Sequence, residues 1–190
     1  MQHHSLANPS AGRRLLWLGL LVAASVVFSL GLACAVPLAA FAAAAALTLR
    51  ERDALLFVGA VWLANQIVGF AILDYPQTAN SVLWGVALGA VGLFATWAAR
   101  RVAHTLPDAN LLAVSIAALL VSFAACEGAL YVIAATWLGR TEDFAPGIVA
   151  WVFAVNAAAM VALMLLHRLG AAIGFATISE IRGSTAAHHA

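Results

Sequence analysis

Apolar residues along this chain come in long runs separated by brief polar stretches, with little short-period alternation. The runs extend from Leu15 to about Ala33, Cys34 to Leu49, Ala54 to Leu73, Asn80 to Ala99, Asn110 to Gly139 and Gly147 to Leu169. A helix rises about 1.5 Å per residue, so about twenty residues cross the roughly 30 Å hydrocarbon layer of a bilayer. The second run is short, roughly 24 Å as a helix, and the fifth is too long to lie wholly within hydrocarbon. Pro37, Pro76, Pro107 and Pro146 fall in or beside the breaks, where a residue without an N–H does least damage. The segments are rich in Ala and Leu and lack the period of two that a membrane barrel needs. The pattern predicts an all-α polytopic membrane protein, one domain over residues 1–190, with six transmembrane helices.

Composition supports this class. Of 190 residues, 65% are hydrophobic and 9% charged, with mean hydropathy +1.00, whereas a soluble domain carries about 25% charged residues. The sparse charges also set an orientation. All nine basic residues are arginine. With the N-terminus in the cytoplasm, Arg13, Arg14, Arg50, Arg52, Arg100, Arg101, Arg168 and Arg182 fall inside and Arg140 alone falls outside. That asymmetry predicts an N-in, C-in protein of the bacterial cytoplasmic (inner) membrane. A single bent helix from Leu15 to Leu49 would put Arg13 and Arg14 opposite Arg50 and Arg52, so a hairpin at Ala33 to Pro37, facing outward, fits better. The Arg pair, apolar run and Ala-Cys-Ala also resemble a secretory signal, but the run is longer than a usual signal core and a retained first helix is preferred. Trp62, Trp84, Trp137 and Trp151 then lie on outer helix halves, Trp17 and Trp97 near inner ends, in part as an interfacial belt.

Polar residues inside the runs are the candidate chemistry. Asn65 lies about 15 Å into the third run and Asn156 at similar depth in the sixth, while Glu127 falls just outward of the middle of the fifth. An acid at that depth costs about 2.5–3.5 kcal/mol on insertion scales, so Glu127 is expected to be protonated or hydrogen-bonded and to face a partner or cavity. Helical spacing places Trp62, Asn65, Gln66 and Gly69 on one face of the third run, and Phe123, Glu127, Leu130 and Tyr131 on one face of the fifth. Aromatic surface with a few polar groups is how small-molecule pockets are lined. The expected substrate-binding set is Trp62, Asn65, Gln66, Asp74, Tyr75, Trp84, Glu127, Tyr131 and Asn156. The segment Asp-Tyr-Pro-Gln-Thr-Ala-Asn, from Asp74 to Asn80, is expected to roof an outward-facing pocket. The competing reading makes the amides interhelical glue. Gly85, Gly89 and Gly92, and Ala39 with Ala43, read first as close helix packing.

Several classes lack support. The six histidines lie in tails or at inner helix ends, so no mid-membrane pair could hold a haem and no cluster suits a transition metal. Neither HExxH, GxSxG nor a Walker sequence occurs. No metal, cofactor or catalytic residue is expected. A net charge of +1 gives nucleic acid no electrostatic footprint. Cys34 and Cys126 have no metal or redox spacing and read as small buried residues.

The six-run architecture, the stretch Val-Trp-Leu-Ala-Asn-Gln-Ile-Val-Gly-Phe-Ala-Ile-Leu-Asp-Tyr-Pro ending at Pro76, and the small pairs Gly19/Ala23 and Ala39/Ala43 resemble the substrate-binding (S) components of energy-coupling-factor vitamin transporters. That resemblance implies a vitamin or micronutrient bound from outside, cobalamin or a cobalt-containing precursor being the leading candidate. It also implies docking through small residues of an early helix onto a transmembrane coupling protein that works with ATPases. Some solitary cobalamin-binding members ligate cobalt through a cysteine, and this chain has none between positions 74 and 80. Two other readings stay open: an assembly or scaffold subunit, and a small membrane enzyme with Glu127 as acid/base and Asn65 or Asn156 as polariser.

Overall fold

The computed structural model describes residues 36–172 together with Gly19, Val22, Ala23 and Ser25. The first predicted run is outside the described residues apart from those four. So are Cys34, the Ala33–Ala35 part of the hairpin, Trp17, Arg13, Arg14, Arg182, His3, His4, His188 and His189.

Five α-helices follow. They are α1 (Leu38–Thr48), α2 (Glu51–Ala71), α3 (Ala79–Thr105), α4 (Leu111–Ile133) and α5 (Pro146–Ala172), and no strand occurs among the described residues. They match the second to sixth predicted runs, with ends set by local chemistry rather than hydropathy. Glu51 and Asp53 place acidic groups in the first turn of α2, where the helix dipole favours them. The Thr78 hydroxyl accepts from the Ser81 N–H (3.2 Å) and the Asn110 side-chain oxygen from the Ala113 N–H (2.8 Å), capping α3 and α4. Pro146 opens α5, where its missing N–H is harmless. Helix α3 runs on past Ala99 through Arg100 and Arg101, because charge ends a hydrocarbon span but not a helix. It stops before Pro107, which disfavours helical geometry at Leu106. Helix α4 continues as a π-turn, Ala134–Leu138, and the chain then reverses through Gly139 (φ 76°) and Arg140 (φ 70°).

Four segments are long and apolar enough to cross a membrane: Glu51–Ala71, Ala79–Thr105, Leu111–Leu138 and Pro146–Gly170. Helix α1, at 11 residues, reaches only about 16 Å. Size is distributed inside out. Large side chains point outward in four-residue steps, Leu112, Ile116 and Leu120 on α4 and Val161, Leu165 and Leu169 on α5, with Leu56 71% exposed on α2. The interior is built from Ala39 to Ala46, Ala95, Ala99, Ala118 and Ala159. Lipid solvates Leu as well as a protein core does, so small residues are used where backbones must approach.

Helix α1 lies at the centre, packed against α2, α3, α4 and α5. Its N-cap, Pro37, provides no side-chain bond, and the neighbouring helices satisfy its backbone instead. The Asn156 carbonyl oxygen accepts from the Ala40 N–H (2.9 Å) and the Ser122 hydroxyl donates to the Ala39 carbonyl (2.8 Å). At the other end the Arg100 guanidinium donates to the carbonyls of Leu49 (2.9 Å) and Ala46 (3.4 Å).

Candidate functional site

A cavity of about 140 Å³ lies beside the start of α1, lined by Val36, Leu38, Trp62, Asn65, Gln66, Val68, Leu73, Tyr75 and Leu88. A second gap, among Ala44, Ala45, Thr48, Phe57, Leu163 and His167 at the other end of α1, measures about 10 Å³, room for one water at most.

The walls of the larger cavity follow from three glycines of α3. A Cβ on Gly89 would come within 2.7 Å of the Trp62 ring, one on Gly92 within 3.1 Å of Leu38, and one on Gly85 would collide with the Gln66 side-chain oxygen. Each glycine is therefore a notch for a residue that also lines the cavity. The Trp62 indole N–H donates to the Gly85 carbonyl at 2.7 Å, clasping α2 to α3 and leaving Trp62 to present ring rather than donor. The Asn65 amide donates back to the Val61 carbonyl of its own helix (2.8 Å). Gln66 forms no hydrogen bond with a described residue; its side chain lines the cavity, with the amide oxygen seated beside Gly85.

The segment after α2 is shaped by a left-handed residue. Asp74, at φ 52°, turns the chain so that the Tyr75 N–H reaches back to the Gly69 carbonyl at 3.0 Å. The Tyr75 ring then rests on the bare face of Gly69, where a Cβ would stand 2.7 Å from it, and meets Phe70 edge-on at 6.2 Å. Pro76 holds the exit extended.

Of the nine expected site residues, the structure brings Trp62, Asn65, Gln66 and Tyr75 together around one cavity. Asp74 adjoins it as the turn residue, with its side chain exposed. The remaining four do not line it. Asn156 is 2% exposed and used at both ends of its amide, accepting from Ala40 and donating to the Val152 carbonyl (2.9 Å), so at that position the glue reading holds. Trp84 is outside the lining, its indole nitrogen buried without a partner among the described residues. Tyr131 is exposed and packs edge-on against Phe144 at 5.5 Å. Glu127 is half-buried on α4 and forms no hydrogen bond or ion pair with a described residue. Matching depth in sequence did not bring these groups together, because depth leaves the rotation of each helix unspecified.

Val36, Leu38, Val68, Leu73 and Leu88 were missed, being apolar residues among many. The Gly85–Gly89–Gly92 spacing was the one available signal, since each notch marks what packs into it. Among the described residues no three His, Cys, Asp or Glu side chains stand close enough to hold a metal ion. No protein-family model, curated protein or solved structure matches the chain. The fold therefore defines a class and no more: an all-helical protein with four helices able to span a membrane.

Proposed function

We propose that this chain is a membrane-embedded binding protein for a small molecule, taken up through a pocket that opens to the extracytoplasmic side. The observation that carries the reading is the Gln66 amide, at a cavity lined by two aromatic rings and without a hydrogen-bond partner among the described residues. An amide with no role in binding would be expected to hydrogen-bond a neighbouring helix, as Asn156 does. The orientation follows the arginine distribution: six helices, both termini inside, in a bacterial cytoplasmic membrane. In that orientation the cavity, beside the start of α1 and the α2–α3 segment, lies in the outer half.

Uptake with a transmembrane coupling protein and its ATPases rests on the resemblance to energy-coupling-factor S components. Of the two small-residue pairs that such docking could use, Ala39 and Ala43 are consumed inside the molecule, while Gly19 and Ala23 are exposed. The space limits the substrate. A cavity near 150 Å³ takes a benzene-sized guest, and common ligand pockets span roughly 300–1,000 Å³. A corrinoid does not fit this volume, so the proposed micronutrient is smaller. The enzyme reading loses a partner, because both ends of the Asn156 amide are occupied.

The test is mass spectrometry of the full chain after extraction, wild type beside Leu88→Trp, which fills the cavity and spares its polar groups. A small molecule retained by wild type and absent from the folded variant is the expected result. A co-purified polypeptide with no small molecule would favour the scaffold reading.

A further inference from the structure

We infer that the cavity selects a neutral, planar, single-ring molecule bearing an amide-like edge, a carboxamide or lactam; this rests on the binding-protein reading above. Among the described residues that line it, none carries a charge. An ion entering it would lose hydration with no counter-charge among those residues, which disfavours ammonium and carboxylate ligands. Two of the walls are aromatic. Trp62 is held against Gly89 with its N–H committed to the Gly85 carbonyl, and Tyr75 is held against Gly69. Rings packed on glycines in this way offer apolar faces and edges, to which a flat guest is the natural complement. The volume, about 140 Å³, admits one ring.

The hydrogen-bonding edge follows from Gln66. A primary amide presents a donor and an acceptor side by side in one plane. A carboxamide or lactam presents the reverse pair at the same spacing and satisfies both at once. An aromatic hydrocarbon would fill the space and leave the Gln66 amide desolvated and unbonded, which is the costly arrangement. Asn65 is less suited to this part, since its nitrogen already donates to the Val61 carbonyl.

The experiment measures binding of four probes to the full chain in lipid nanodiscs, with empty nanodiscs as the blank: benzamide, toluene, benzoate and benzylammonium. Benzamide is expected to bind about tenfold or more tightly than each of the others, the effect of one well-made hydrogen-bonded pair. Gln66→Leu is expected to erase that preference while toluene binding persists. Gln66→Met serves as a second variant lacking the amide should the first fail to fold. Toluene binding as tightly as benzamide in wild type would overturn the inferred ligand class and leave the cavity as a binding site. A charged probe binding best would do the same. Saturable binding of none of the four would overturn both the ligand class and the binding-protein reading.

Discussion

A methyl group on Gly89 would stand 2.7 Å from the Trp62 indole, with no room for the ring to withdraw while its N–H still reaches the Gly85 carbonyl. Gly89→Ala is therefore expected to destabilise the fold by about 1–3 kcal/mol, read as a lower thermal midpoint in detergent. Gly69→Ala makes an equally close approach to Tyr75, but that ring is 40% exposed and belongs to a connecting segment, so it can swing away. Ligand retention should fall in Gly69→Ala and in Tyr75→Ala while the midpoint stays nearly constant. Parallel loss of both would mean the segment is only structural. Asn156→Leu gives the opposite pattern. It leaves the buried Ala40 N–H without an acceptor, at about 1–3 kcal/mol, and should not alter ligand binding by the folded protein. At this scale the sequence was partly legible. The spacing of Trp62, Asn65 and Gln66 put them on one face of a helix and the structure keeps them at one cavity. It could not tell that Asn156, similar in chemistry and depth, is rotated toward the start of α1.

Helix α1 depends on its neighbours for hydrogen bonds at both ends, so Arg100→Leu should loosen its far end. The loss is expected near 1–2 kcal/mol, with amide exchange rising at Ala46 to Leu49 before it rises elsewhere. The Arg100–Glu51 approach at 4.0 Å adds little, because Glu51 is largely exposed. The Arg140–Asp143 pair marks a contrast. Its hydrogen bond (2.7 Å), then the Asp143 charge, raises the Arg140 guanidinium above its ordinary value. A raised value in the folded state favours folding below the ordinary arginine range, so the contribution is constant through neutral pH and no pH window follows. Both partners are exposed, and Asp143→Asn should leave the thermal midpoint unchanged. For the five described helices, existence was legible from apolar runs and breakers. Helix ends were less so, because hydropathy falls at Arg100 while the helix continues to Thr105, and α1 starts later than its run because Pro37 precedes it.

At the scale of the molecule, small residues inside and large ones outside suit a lipid surround, and four helices have the length and apolarity to cross one. The runs alone conveyed that class. They could not convey that the shortest run becomes the centre of the bundle, since an Ala-rich stretch reads equally well as a lipid-facing helix. The central claim is a cavity reached from outside, and Val68, in its lining yet only 5% exposed, is the place to probe it. With Cys34 and Cys126 replaced by alanine, the measurement is the labelling rate of Val68→Cys by a small membrane-impermeant thiol reagent on intact cells. The core position Val58→Cys serves as the buried reference. The expected result is labelling of Val68→Cys without permeabilisation, well above the reference, and slowed when Leu88→Trp fills the cavity. Labelling only after permeabilisation, or no faster than at Val58→Cys, would contradict the account.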